Sequence, residues 1–344
     1  MRIVRYTPNR ASEEQAPRLG LMLGDDRIGD LRRAHERMLA GAGDRAAAEI
    51  AASRFPGNLA AHLAGGDVAH QALLETAAYL GGEGDGKGGS GDALIRNLDQ
   101  CRLLAPVKPW KIIAVGRNYG SHDKEMSQSG AGFPKAVPSA WIKSNSALAG
   151  PFDDIQKPAA SDALDYETEL TLVISRQCKN VAEKDAYDVI AGYMVGIDVT
   201  ARDVVRLERA EGNQLMGKMF DSFAPMGPWM LTADEVPDPM NLPIRTRVNG
   251  EIRQDGSTAG MIWDIPKLIS YVSQMSLEPG DLIMTGTPSG VAAGHKVDGE
   301  NWFLSAGDVL ESEIEGIGAL RNTIVDAPDT VHWDWDRSRN TEPP

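Results

Sequence analysis

The stretch Asp165-Tyr166-Glu167-Thr168-Glu169-Leu170 places carboxylates at every second position. It runs into Thr171-Leu172-Val173-Ile174, an apolar, partly β-branched run that reads as a buried strand. Alternate side chains of a strand share a face, so Asp165, Glu167 and Glu169 point one way and Tyr166, Thr168 and Leu170 the other. Carboxylates on one face repel each other unless positive charge lies between them. Hard divalent cations such as Mg²⁺ take oxygen ligands of this kind. From the hexapeptide alone, a solvated strand end with ordinary surface acids is the simpler reading.

Other groups have chemistry to offer. His122 and Glu125 lie three apart in Ser121-His122-Asp123-Lys124-Glu125, where Ser121 is suited to cap a short helix. A carboxylate beside an imidazole orients the ring and raises its basicity, the arrangement of a general base for water. A surface helix with an incidental pair is the plainer account of a lone H-x-x-E. The Gly- and Pro-rich run Ser129 to Pro134 reads as a hinge, so the helix before it could close as a lid. Asp198 interrupts the apolar run Gly192 to Thr200, and an acid in such a segment usually has a partner. Thr200-Ala201-Arg202-Asp203 looks like a capping-box variant. Arg202 falls in the first helical turn, where the dipole disfavours a cation, which hints at gripping an anion; a salt bridge to Asp203 or Asp198 is the duller alternative.

Gly212 to Lys218 spells most of a phosphate-binding loop, but Met219 replaces the required hydroxyl and the preceding segment reads as helix. Lys218 remains as a cation in a Gly-flanked loop. Gly286-Thr287-Pro288-Ser289-Gly290 is rich in backbone N–H groups and hydroxyls and is suited to holding a carboxylate.

The elements that must position these groups follow from pattern. Residues 1–103 read as a small N-terminal α+β unit. Arg2 to Tyr6, Leu19 to Leu23 and Ile28 suggest a β-meander, followed by Ala-rich helices from about Leu31 to Leu80, broken near Pro56-Gly57. Residues 81–91 form a Gly-rich linker or loop; the formal G-x-G-x-x-G at Gly84, Gly86 and Gly89 has no strand before it and is rejected. Residues 104–344 read as a β-rich main domain. Strands are expected at Lys111 to Gly116, Ser139 to Lys143, Asp281 to Thr285 and Asp308 to Ile314, with an Asn249-Gly250 hairpin after Pro243 to Val248 and helices near Glu183 to Ile190 and Ile265 to Gln274. An acidic tail from about Asp326 carries Trp333 and Trp335.

Composition bounds the function. With 344 residues, 42% hydrophobic and 24% charged, the chain is an ordinary globular one with ample core. A net charge of −14 without a basic stripe argues against nucleic acid. No apolar run reaches membrane-spanning length and the N-terminus lacks a signal-peptide pattern, so the expectation is a cytoplasmic protein that meets no membrane. Two distant cysteines, Cys101 and Cys178, suit neither a disulfide framework nor a thiolate site.

Taken in order, Val115-Gly116-Arg117-Asn118-Tyr119 with His122 and Glu125, the acidic hexapeptide, Gly192-Tyr193 with Asp198 to Asp203, Lys218 to Asp221 with Gly227-Pro228-Trp229, Asn249-Gly250 with Gln254, Thr285 to Pro288 and Gly316-Ile317-Gly318 resemble the fumarylacetoacetate hydrolase family from about Leu103 to Val325. The likeness is to its acylpyruvase or fumarylpyruvate hydrolase-like members. It implies a mixed α/β, β-rich fold, the family's β-sandwich roll or pseudo-barrel, in a homodimer. It implies Glu167, Glu169 and Asp198 as ligands of one Mg²⁺ or Mn²⁺ per subunit, with Asp165 in a supporting part. His122 and Glu125 would be the water-activating dyad and Lys218 the lysine beside the metal, with Arg117, Arg202, Gln214 and Thr287 as substrate contacts. The implied reaction is hydrolysis of a C–C bond in a small anionic 2,4-dioxo acid of acylpyruvate, fumarylpyruvate or maleylpyruvate type, in aromatic catabolism. Oxaloacetate decarboxylation, isomerisation or hydration are alternatives on the same scaffold, and a non-catalytic binding protein would lack a ligand or the dyad.

Overall fold

The computed structural model describes residues 1–9, 16–82, 94–127, 136–295, 297 and 300–328. Most of the Gly-rich stretch, the expected hinge Ser129 to Pro134 and the tail with Trp333 and Trp335 lie outside the described residues. Among the described residues no helix is long and apolar enough to cross a membrane.

The N-terminal unit comprises β1 (Arg2–Pro8), β2 (Arg18–Leu23), β3 (Arg27–Asp30), α1 (Leu31–Gly41), α2 (Ala47–Arg54), α3 (Leu59–Leu63), α4 (Gly66–Gly82), β4 (Ile95–Asn97) and β5 (Cys101–Leu104). Asp30 ends the meander and starts α1, its carboxylate accepting from Arg33 N–H. The main body continues with β6 (Ile112–Gly116), α5 (Gly120–Glu125), β7 (Ser139–Lys143), β8 (Leu148–Ala149), β9 (Ile155–Lys157), β10 (Leu164–Asp165), β11 (Thr168–Ile174), β12 (Ile190–Ile197), β13 (Thr200–Ala201) and α6 (Arg202–Ala210). It closes with β14 (Ala224–Thr232), β15 (Pro243–Val248), β16 (Glu251–Ser257), α7 (Ile265–Val272), β17 (Leu282–Met284), β18 (Val309–Ile314) and β19 (Gly318–Asp326).

One long sheet runs β4-β3-β2-β1-β14-β12-β11-β17-β6-β7, so the N-terminal meander is hydrogen-bonded into the body through β1 and β14. A five-stranded sheet, β16-β15-β18-β19-β9, packs against β11, β12 and β14. This is a mixed, β-rich sandwich with the helices set around it. Its hairpin β15–β16 turns on Asn249 and Gly250, both at positive φ, the type I′ signature.

The β11 strand is buried on both faces, unlike a solvated strand end. Thr168 turns to the second sheet and meets Thr246 Oγ1 at 2.6 Å and Ser312 Oγ at 2.8 Å. By alternation Leu170 and Leu172 face the same way and fill the core between the sheets. Truncating either to Ala costs about 2–5 kcal/mol. Glu169 therefore faces the opposite side, where β6, β7 and α5 enclose a cavity.

Three local expectations are corrected. The cap of α5 is Tyr119, not Ser121, whose Oγ instead accepts from Ser289 N–H at 3.3 Å. The capping box at Thr200 does not form: Ala201 is the cap, and Asp203 accepts from Ser161 Oγ and Asp162 N–H. Glu183–Val189 is a 3₁₀ helix that gives way to β12 at Ile190.

Candidate active site

The site gathers around β11. Glu169 lies on the strand, Glu167 just before it, and Asp198 just after the neighbouring β12, with Asp198 N–H donating to Glu167 O at 2.9 Å. One oxygen from each of Glu167, Glu169 and Asp198 lies within 4.8 Å of the others, and all three residues are buried.

Cations hold the outer side of this cluster. Lys218 Nζ donates to Glu167 Oε2 at 2.8 Å and Asp198 Oδ2 at 2.6 Å. Lys143, the last residue of β7 and fully buried, gives Nζ to Asp198 Oδ1 and to Lys218 O. Arg202 spans Asp165, Nε to Oδ2 at 2.7 Å, and Glu167, Nη2 to Oε1. These are the partners of the first-turn arginine, rather than Asp203 or Asp198. Asp165 also accepts from Ala292 N–H at 2.7 Å and Ala293 N–H at 3.1 Å, and so supports Arg202 from outside the cluster.

The electrostatics are uneven. Burial alone would raise the Glu167 carboxyl, but Arg202, Lys218 and His122 pull it well below the usual range. Glu169 is pushed well above it by burial, then by Asp198 and Glu167. Its partner is a backbone group, Gly286 N–H at 2.8 Å, and among the described residues no cation pairs with it. Burial, and then Lys218, lowers the Lys143 ammonium, although Asp198 opposes this. A cluster of oxygen donors with one buried carboxylate that no ion pair engages directly fits a hard divalent ion. Glu167, Glu169 and Asp198 would hold it.

One wall of the cavity is supplied by α5. His122 Nδ1 meets Glu125 Oε2 at 3.1 Å, and His122 Nε2 lies 4.0 Å from Glu167 Oε1. The loop after β17 uses its N–H groups on the protein's own carboxylates: Gly286 on Glu169 and Gly290 on Glu125, at 2.9 Å. Thr287 lines the cavity, but its hydroxyl donates to Thr168 O and accepts from Gln254 Nε2, each at 2.8 Å. Arg117 also lines it, from a turn with φ +51° that Asn118 fastens by Nδ2 to Trp263 O and Thr285 O. The cavity is about 20 Å³, room for an ion or a water.

Gln214 does not line the cavity. It accepts from Arg209, Nε at 3.0 Å and Nη2 at 2.8 Å, and Arg209 lines the cavity instead. Arg209, Lys143 and Trp141 were missed from the sequence. Arg209 stands seven residues after Arg202 on α6, two turns on, which puts both on one side of the helix. Trp141 and Lys143 alternate on β7; the Trp141 ring lies 5.0 Å from Lys218 Nζ and Lys143 reaches Asp198. A lysine closing an apolar strand was the available signal.

Residues 111–325 match the model of the fumarylacetoacetate (FAA) hydrolase C-terminal domain. The chain belongs to the fumarylacetoacetate hydrolase family. The mitochondrial oxaloacetate tautomerase fahd2 of Xenopus laevis is 42% identical over 233 residues, 67% of this chain and 70% of that protein. The 5-carboxymethyl-2-hydroxymuconate delta-isomerase of Mycobacterium smegmatis is 29% identical, with a TM-score of 0.65 over 95% of this chain and 100% of that one. Maleylpyruvate hydrolase from Sphingobium sp. SYK-6, solved with manganese(II) and pyruvate, is 28% identical, with a TM-score of 0.67 over 95% of this chain and 99% of that one. Family relatives thus include hydrolases, isomerases and tautomerases, and one similar structure binds Mn²⁺.

Proposed function

We propose that this chain is a Mg²⁺- or Mn²⁺-dependent hydrolase that cleaves the C3–C4 bond of a 2,4-dioxo acid of acylpyruvate, fumarylpyruvate or maleylpyruvate type, in aromatic catabolism. The observation that carries the reading is the His122–Glu125 pair, held with Nε2 of His122 facing the carboxylate cluster. The manganese and pyruvate bound by the maleylpyruvate hydrolase support the choice of metal and of product.

Glu167, Glu169 and Asp198 would hold a divalent ion, which when bound would supply Lewis acidity for negative charge developing on the substrate. Glu125 fixes the Nδ1–H tautomer of His122, leaving Nε2 to take a proton from water. The water oxygen bonds to C4, and Lys218 Nζ offers a donor to the oxyanion that forms there. The C3–C4 bond breaks with its electron pair on C3. The proton held at Nε2 is returned to C3, giving pyruvate and a carboxylic acid.

A second reading is favoured by the oxaloacetate tautomerase relatives, which are 42% identical. Decarboxylation or keto–enol exchange of oxaloacetate uses the same carboxylate cluster without an attacking water. The deciding experiment is a panel of acylpyruvates, fumarylpyruvate, maleylpyruvate and oxaloacetate with Mg²⁺, run on wild type and His122→Ala. Hydrolysis that disappears in His122→Ala while any oxaloacetate decarboxylation survives supports the hydrolase. No cleavage of any dioxo acid beside rapid oxaloacetate turnover sinks it. A homodimer in the cytoplasm is the proposed assembly and place, the first tested by light scattering of the purified protein.

A further inference from the structure

The cations that wall the cavity are not equally matched. Arg202 is engaged by Asp165 and Glu167, Lys218 by Glu167 and Asp198, and Arg117 lies in the field of Asp123. Arg209 differs. Its partner among the described residues is neutral, the Oε1 of Gln214, which accepts from Nε and Nη2. A guanidinium carries five N–H donors in a rigid fork, so this grip fixes the plane and leaves Nη1 and part of Nη2 for a ligand. Gln214 Nε2 is itself buried without a partner, so the amide has turned its oxygen to the arginine.

Place in the fold gives Arg209 its role. Arg202 at the start of α6 reaches the buried carboxylates, while Arg209, two turns on, is exposed and walls the same cavity. The carboxylates thus form the floor and Arg209 the mouth. On the dioxo-acid reading, the reacting end of the substrate meets the floor and its distal arm is left to the mouth.

We propose that Arg209, oriented by Gln214, is a specificity-determining residue that reads a second carboxylate on the distal arm, so that the preferred substrate is a dicarboxylate rather than a dioxo acid with a neutral acyl arm. The proposal rests on the dioxo-acid reading for which end of the substrate lies at the floor. A charge-assisted hydrogen bond of this kind, partly exposed to solvent, corresponds to about 10-fold in affinity.

The test compares a 2,4-dioxo acid whose arm ends in a carboxylate with the same compound as its terminal carboxamide, with Mg²⁺ present. The readouts are the ratio of the two kcat/KM values and the ratio of the two dissociation constants by calorimetry. Wild type should favour the diacid by about 10-fold or more, through KM rather than kcat. Arg209→Gln should erase that preference, Arg209→Lys should restore part of it, and Gln214→Leu should weaken it in KM while leaving the fold's thermal midpoint in place. A wild type without preference, or a preference that persists in Arg209→Gln, overturns the proposal. Binding that favours the diacid without cleavage of either compound supports Arg209 and removes the hydrolase reading. Equal cleavage of both compounds does the reverse. Failure of either compound to bind overturns both.

Discussion

Glu125 accepts a hydrogen bond from the backbone N–H of Gly290 at 2.9 Å through Oε1. Its other oxygen meets His122 Nδ1. One carboxylate therefore docks α5 on the loop after β17 and orients the imidazole. A Cβ added at Gly294 would fall on this carboxylate. Gly294 has an ordinary φ, so Gly294→Ala tolerates the backbone but displaces Glu125. We expect turnover to fall, by up to about 10²-fold, with little change in folding stability. Full activity in Gly294→Ala, measured beside Glu125→Gln, would mean that the docked position of Glu125 is not the active one.

Lys143 is the cation behind Asp198, and both are buried. Replacing it by Met keeps the volume but strands one carboxylate oxygen. Breaking a buried pair in this way costs about 3–5 kcal/mol. Lys143→Met should lower the denaturant midpoint accordingly, and Mg²⁺ or Mn²⁺ should recover part of the loss by binding the folded state. A midpoint equal to wild type without metal would show that Lys143 does not neutralise Asp198.

Local pattern brings the candidates forward, but it is the ordered set of motifs resembling the family that implies one shared site. The period-two carboxylates and the H-x-x-E pair each have a plainer surface reading taken alone, yet Glu167, Glu169, His122 and Glu125 do converge. The meander, the Asn249-Gly250 hairpin and the core strands followed from turn chemistry and apolar runs. What failed was partner choice. Arg202 was weighed against Asp203 and Asp198, close in sequence, yet it bonds Asp165 and Glu167 on another strand. The family resemblance implies Gln214 as a substrate contact, but α6 and the loop after it set Arg209 at the cavity wall with Gln214 bonded behind it. From the sequence Lys143 reads only as the end of a strand, because nothing local reveals that β7 lies beside the carboxylates. The Gly286 to Gly290 loop does hold carboxylates, as its N–H groups suggested, but they are Glu169 and Glu125.

Through Glu169, binding of a divalent ion at the candidate carboxylate cluster is expected to depend on pH. Its carboxyl is held well above the ordinary value of about 4.5, first by burial and then by Asp198 and Glu167. A raised folded-state value means that its contribution to stability is complete below about 4.5 and is lost as pH rises through the raised value, at most about 1.4 kcal/mol per pH unit. A divalent ion needs the carboxylate, so binding releases a proton and removes that penalty. Calorimetry in two buffers of different ionisation enthalpy should show proton release with Mg²⁺ or Mn²⁺, and affinity should rise with pH over that window. Glu169→Gln should weaken binding and abolish the proton release. Unchanged affinity in that variant counts against Glu169 as a ligand.

The N-terminal helices carry the opposite pH dependence. Phe55 lies between His35 and His62, with ring centroids 5.3 and 5.2 Å away. His35 Nδ1 meets Thr76 Oγ1 at 2.8 Å and His62 Nδ1 donates to Arg54 O at 2.7 Å. Burial lowers both imidazoles below 6.5; Arg54 adds to this at His35 against Glu75, and His70 at His62 against its own bond to Arg54 O. A lowered folded-state value means that their contribution is present above about 6.5 and is lost as pH falls through the lowered values. With the carboxylate cluster saturated with Mg²⁺, the thermal midpoint should fall as pH drops from about 7 to 5. The double variant His35→Gln/His62→Gln should start lower and show a flatter profile, because a buried amide does not titrate. A wild-type slope that persists in the double variant would assign the acid sensitivity to other groups.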